Sequence, residues 1–265
     1  MYLYDLIGNT YDSTRRADPD LVQRLIRHLN IQPSGNYLDV ACGTGNYTMA
    51  IANYGVSLHG LDQSRQMVAT ASEKASSVTW HLGNAEALPF PDGMFSGALC
   101  TLAIHHFRAI RPVFQEVFRV LDGGHFVIFT ATPEQMRGYW LNEYFPRAMD
   151  RSIQQMPSLE VVVKNLQSVG FGSIHTEPYE VSDSLQDLFL YSGKHRPALY
   201  LDPRIRASIS TFAALAEPDE VECGCAQLSQ DIQSGRIIDV TNAYRHDGGD
   251  YIFIVADKKH NLVLP

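Results

Sequence analysis

Leu38-Asp39-Val40-Ala41-Cys42-Gly43-Thr44-Gly45-Asn46-Tyr47-Thr48 is the stretch whose reading decides the fold. A short apolar run, Tyr37 to Ala41, passes straight into a turn with two glycines, and a helix start follows. Glycine lacks a Cβ, so the backbone can turn sharply there and approach a ligand closely. Strand, glycine turn and helix start in that order describe a nucleotide-type cofactor site. About twenty residues on, where such folds place a ribose-binding acid, Leu58-His59-Gly60-Leu61-Asp62 ends a second apolar run on a carboxylate. Asp62 can accept both hydroxyls of a ribose there.

Charge then separates the cofactor classes. Asp39 stands near the end of the first run, where a carboxylate repels a pyrophosphate but attracts a sulfonium bearing an α-amino group. The dinucleotide fingerprint also wants a third small residue for close helix packing, and Thr48 stands in its place. Both features favour a cationic nucleoside cofactor over a nicotinamide or flavin.

Outward from the turn, strands and helices alternate. Asp18-Pro19 is a helix start, and Leu21, Val22, Leu25, Ile26 and Leu29 follow at helical spacing. Strands are expected at 56–62, 78–82, 95–102 and 125–131, with helices over 65–75 and 112–121, the latter stopped by Gly123-Gly124. The alternation predicts an α/β fold, a doubly wound, Rossmann-like and mostly parallel sheet with ligands at its carboxyl ends. Beyond Thr132 the rhythm changes. Residues 133–157 read as an inserted helix, 158–169 as an amphipathic helix, 172–181 as a strand, 184–245 as a second helical insertion and 251–256 as the last strand. The expected organisation is one domain over 1–265. Residues 1–132 form a cofactor-binding core, 133–157 and 184–245 cap it, and 158–181 and 246–265 complete the sheet.

LDVACGTGNYT, then GLDQS, then GNAEALPFPDGMFSGALC resemble the class I S-adenosylmethionine-dependent methyltransferases. The resemblance is to the branch containing ubiquinone/menaquinone-type C-methyltransferases and many small-molecule methyltransferases. It implies a seven-stranded sheet with an antiparallel last strand, S-adenosylmethionine as cofactor and S-adenosylhomocysteine as product. It also implies that Asp39, Ala41, Gly43 and Gly45 line the methionine side, with Cys42 a small residue that fits the turn. Asp62 would hold the ribose, with Gln63 and Met67 beside the adenine. Asn84, Ala85 and Glu86 would follow the third strand, Asn84 or Ala85 would meet the adenine edge, and Leu102 and Ala103 would lie under the cofactor. Tyr11-Asp12 and Arg15 resemble a segment that folds over the site.

Methyl transfer is a displacement at carbon, and positioning contributes much of its rate. A base is needed only if the nucleophile must lose a proton. His105 and His106, just after the fourth strand, stand where the acceptor should arrive, and His106 is the preferred candidate base. Tyr11 and Tyr4 could orient the acceptor or stabilise the methyl cation. Tyr139, Trp140, Tyr144 and Phe145 could wall the acceptor, although aromatics at helical spacing are more often core. Lys194-His195-Arg196 reads as a solvated cationic loop.

Composition bounds the rest. Lysine and arginine number 21 against 29 acids, a net charge of −8 that opposes a nucleic-acid partner. No run approaches the roughly 18 apolar residues needed to span a bilayer. The four cysteines lack a disulfide or zinc spacing, so a reducing, cytoplasmic setting without a bound metal is expected. The function expected is methylation of a small-molecule acceptor on O, N or C. The alternative is a catalytically silent cofactor-binding module acting through partners.

Overall fold

The computed structural model describes residues 12, 14–75 and 77–259. Seven strands form one sheet: β1 Asn36–Val40, β2 Ser57–Asp62, β3 Thr79–Leu82, β4 Phe95–Thr101, β5 Leu121–Thr130, β6 Ile174–Tyr179 and β7 Tyr251–Lys258. Their order is β3-β2-β1-β4-β5-β7-β6. Neighbours from β3 through β5 run parallel, while β7 is antiparallel to both β5 and β6. This is the α/β Rossmann-like sheet expected from the alternation of elements.

Local chemistry starts the helices where the sequence indicates. The Asp18 side chain accepts from the backbone N–H of Asp20 and Leu21, at 3.0 and 3.2 Å, and caps Pro19–Leu29. That helix buries Leu21, Val22, Leu25 and Leu29 against one face of the sheet, together with Val127 and Phe129 of β5. The helices Ile110–Val120 and Leu159–Val169 cover the other face, where Val113, Phe114, Val162 and Leu166 pack on Leu38, Ala98 and Phe126.

Four local expectations are corrected. The helix before β5 ends at Val120, and the strand begins at Leu121, running through the two glycines instead of after them. Gly124 sits at φ +83°, with room for no Cβ beside the Ser96 carbonyl, and pairing with β4 shifts register between Phe95 and Gly97. The glycines thus make a bulge, not a turn. Residues 133–157 hold three short helices, Pro133–Arg137, Leu141–Tyr144 and Pro146–Gln155. Their breaks fall at Gly138, which leaves room for the His246 ring, and at Pro146.

The second insertion is helical only from Pro197 onward, chiefly in Pro218–Ser234 and Ile237–Ala243. Lys194-His195-Arg196 precedes these helices and is tied down. Lys194 pairs with Asp250 at 2.8 Å, His195 Nε2 bonds the Val181 carbonyl, and Arg196 donates to the Leu185 carbonyl. Lys194 and Arg196 are half-buried, and His195 stays exposed.

Tyr139, Trp140, Tyr144 and Phe145 are fully packed, in the same apolar cluster as Leu21 and Val127. They are core, not a wall around an acceptor. Cys223 is exposed and Cys225 half-buried with its thiol toward the Tyr200 carbonyl, two residues apart on one helix. Among the described residues, no three of His, Cys, Asp or Glu gather to hold a metal ion, and no helix is long and apolar enough to cross a membrane.

Candidate active site

Strand order reverses between β1 and β4, each followed in sequence by a crossover to the opposite side. Ligand crevices form at such a switch point, outside the carboxyl ends of the strands. A cleft of about 520 Å³ opens there, within the roughly 300–1,000 Å³ usual for small-molecule sites.

Ala41 and Leu102, the residues just after β1 and β4, hold left-handed backbone at φ 59° and 55°. Non-glycine residues adopt that region seldom and at some cost. Both line the cleft. The turn between them and the helix Asn46–Ala52 contributes Cys42, Gly43 and Thr44 to the wall. Burial and the neighbouring Asp39 and Asp62 raise the Cys42 thiol well above its usual range, so it is no nucleophile.

Gly45, between the cleft residues Thr44 and Asn46, caps the following helix at φ +75°, with the Trp80 ring lying where its Cβ would be. Gly60, paired with Trp80 across β2 and β3, leaves the same ring room from the other side.

Asp39 is the most unusual group of the cleft. It is 2% exposed; Oδ2 accepts from the Thr48 hydroxyl at 2.6 Å, and Oδ1 has no partner. Burial pushes its pKa up to about 7; the Thr48 hydrogen bond opposes the shift, and Asp62 adds to it. Thr101 Oγ1, on the same wall, is likewise buried without a partner. An unpaired buried carboxylate oxygen is costly, and a cationic ligand group would satisfy it.

Asp62 Oδ2 accepts from the Gly43 N–H at 2.9 Å, and Oδ1 accepts from the Ser64 N–H at 2.8 Å. The acid therefore ties the first turn to the second. Gln63 and Met67 lie beside it on the cleft wall. Met67 is buried, on the helix Arg65–Lys74 capped by Ser64. Asn84, Ala85 and Glu86 line the far side, where Asn84 Oδ1 accepts from the Glu86 N–H at 2.9 Å and shapes the turn.

Ala103 and His106 complete the wall after β4. Burial lowers the His106 pKa to about 4, so the ring is uncharged at neutral pH. His105, its neighbour in the tight turn Ile104–His106, does not line this cleft. It lines a second, smaller cavity that shares Arg15 and Leu102 with the first. Tyr11 and Tyr4 lie outside the described residues.

Several residues of the cleft escape sequence reasoning. Asp187, from the second insertion, is 1% exposed and lines the cleft. It accepts from Arg15 Nη2 at 3.1 Å and from the Tyr47 hydroxyl at 3.1 Å. Asp12, which the resemblance placed in a segment over the site, accepts from the Thr44 hydroxyl at 2.6 Å and from Lys74 Nζ at 2.7 Å, behind the cleft wall. These contacts join segments far apart in the chain, and no local pattern announces them.

Residues 38–129 match the family model described as a methyltransferase domain. The uncharacterized methyltransferase YcgJ of Bacillus subtilis is 33% identical over 117 residues, 42% of this chain and 46% of that protein. The chain thus spans less than half the length of that relative. A demethylmenaquinone methyltransferase of Anoxybacillus flavithermus is 26% identical over 58% of this chain and 77% of its own. Among solved structures, a proposed methyltransferase from an antibiotic biosynthesis pathway of Anabaena variabilis superposes with a TM-score of 0.83 at 32% identity. That similarity covers 92% of this chain and 98% of the other.

Proposed function

The chain belongs to the class I S-adenosylmethionine-dependent methyltransferases, and from that premise we propose that it moves a methyl group from S-adenosylmethionine to a small-molecule acceptor, releasing S-adenosylhomocysteine. The observation that carries the proposal is the buried, unpartnered Oδ1 of Asp39 in the cleft wall. When bound, the cofactor supplies an electrophilic methyl on a sulfonium. The chain's own residues bind and orient. Asp39 takes the α-ammonium group, Asp62 takes ribose hydroxyls, and Gln63, Met67, Asn84, Ala85 and Glu86 border the base. Leu102 and Ala103 support the cofactor from below. Arg15, held by Asp187, closes the edge nearest the cap. His106, uncharged at neutral pH, stands on the cleft wall as a proton acceptor. The two insertions close the acceptor side and set specificity.

Calorimetry with S-adenosylmethionine, S-adenosylhomocysteine and NADH tests the reading. Binding of the first two is expected, and NADH binding alone would sink it.

Asp39 adds a pH dependence. Its pKa of about 7 in the free protein exceeds the ordinary value of 3.8. A bound cation favours the ionised form. Below about pH 7 the carboxyl must therefore shed a proton on binding, and affinity should fall toward about tenfold per pH unit. Above that pH it should level off. The free protein has the opposite sign. Its protonated Asp39 contributes stability at low pH that is lost as pH rises from about 4 through about 7. Cofactor affinity measured from pH 5.5 to 8.5 checks this, and a flat profile would remove Asp39 from the ammonium site.

A further inference from the structure

The second cavity, of about 70 Å³, lies between the carboxyl edge of the sheet and both insertions. Met136 and Met156 of the first insertion, with Phe189 and Ile209 of the second, give it an apolar lining. Four of the hydroxyls on its wall are already engaged. Ser152 and Thr211 bond each other at 2.9 Å, Ser208 donates to the Ile205 carbonyl, and Thr130 donates to the Ala131 carbonyl. Its one charged side chain, Arg15, is paired with Asp187. Among the described side chains lining this cavity, His105 alone buries a polar atom, Nδ1, without a hydrogen-bond partner. Such an atom costs free energy until a ligand satisfies it.

We propose that this cavity receives the methyl acceptor, that the acceptor is a small, uncharged, mostly apolar alcohol or phenol, and that His105 orients it by accepting its hydroxyl proton in a hydrogen bond at Nδ1. The role as methyl acceptor rests on the methyl-transfer reading; the ligand chemistry rests on the cavity. A buried carboxylate or ammonium would find no unpaired counter-charge on these walls, and burying an uncompensated charge is expensive. Burial and the neighbouring His106 keep the His105 ring uncharged at neutral pH, leaving one ring nitrogen an acceptor. Arg15 and Leu102 border both cavities, so a ligand here adjoins the cofactor cleft.

The test titrates phenol, toluene, benzoate and benzylamine into the chain loaded with S-adenosylhomocysteine. Phenol is expected to bind about tenfold or more tighter than the other three, as one hydrogen bond to a buried group allows. It should also shift the Nδ1 nitrogen resonance of His105, which toluene should not. His105→Ala should lose about tenfold in phenol affinity and His105→Gln should recover part of it. Met156→Trp should abolish phenol binding by filling the cavity. All three variants should hold S-adenosylhomocysteine within about twofold of the parent, which separates a local effect from misfolding. Tighter binding of benzoate or benzylamine, absence of phenol binding to the loaded chain, or unchanged phenol affinity in His105→Ala would overturn the proposal. Failure to bind S-adenosylhomocysteine would instead overturn the methyl-transfer reading.

Discussion

Replacing Asp62 by alanine should weaken S-adenosylmethionine binding by at least tenfold, and calorimetry reads the effect directly. A charge-assisted hydrogen bond to a ribose hydroxyl is worth roughly 1.5–3 kcal/mol, and that alone accounts for the loss. The structure adds a second cost. Asp62 already accepts from the N–H groups of Gly43 and Ser64, so it holds the two ligand-facing turns together. Alanine would release both turns, leaving two backbone donors to find water. Asp62→Asn separates the contributions. An amide oxygen can keep one backbone bond, so this variant should retain more affinity than alanine while losing the charge. Unchanged affinity in the alanine variant would mean that the ribose does not meet β2.

Gly45→Ala should destabilise the fold itself. The residue holds φ +75°, and its Cβ would fall 2.1 Å from the Trp80 ring. A left-handed backbone costs a residue with a Cβ roughly 1–2 kcal/mol, and overpacking adds roughly 1–3 kcal/mol. The ring has little room to retreat, because Gly60 adjoins it as well, at 2.5 Å from its own absent Cβ. At roughly 2–4 °C per kcal/mol for a domain of this size class, thermal denaturation should show a clear fall in Tm. The double variant with Trp80→Ala relieves the overlap and should recover the steric part but not the backbone part. A Tm equal to that of the parent would show that the ring moves freely.

The stretch from Tyr37 to Asp62 was legible because its information is local. Apolar runs, glycines and two acids at strand ends imply a sheet, a switch point and a cofactor of a given charge. Even there, one relation was hidden. Thr48 was readable as a departure from the dinucleotide pattern, but not as the donor to Asp39. Asp187 marks the limit more sharply. It meets Arg15 across 172 positions of sequence, and nothing in Ser184-Leu185-Gln186-Asp187-Leu188 distinguishes it from a surface acid. The histidine pair fails for a different reason. In the tight turn Ile104–His106 the two rings lie 3.9 Å apart, centre to centre, yet each borders a different cavity, which spacing does not show. The insertions were visible as a change of rhythm. Their division into short helices follows from packing at Gly138 and Pro146, which apolar periodicity does not encode.

The ring wedged between Gly45 and Gly60 also gives the molecule an optical consequence. The chain has only two indoles. Trp80 leans on the cofactor turn, while Trp140 is buried in the cap, donating to the Lys194 carbonyl and set edge-on to Tyr200. Fluorescence excited at the indole band therefore carries two separable signals, one from behind the cofactor turn and one from the core of the cap. With Trp80→Phe and Trp140→Phe in turn, emission becomes a label-free gauge of whether the turn or the cap responds first when a ligand arrives.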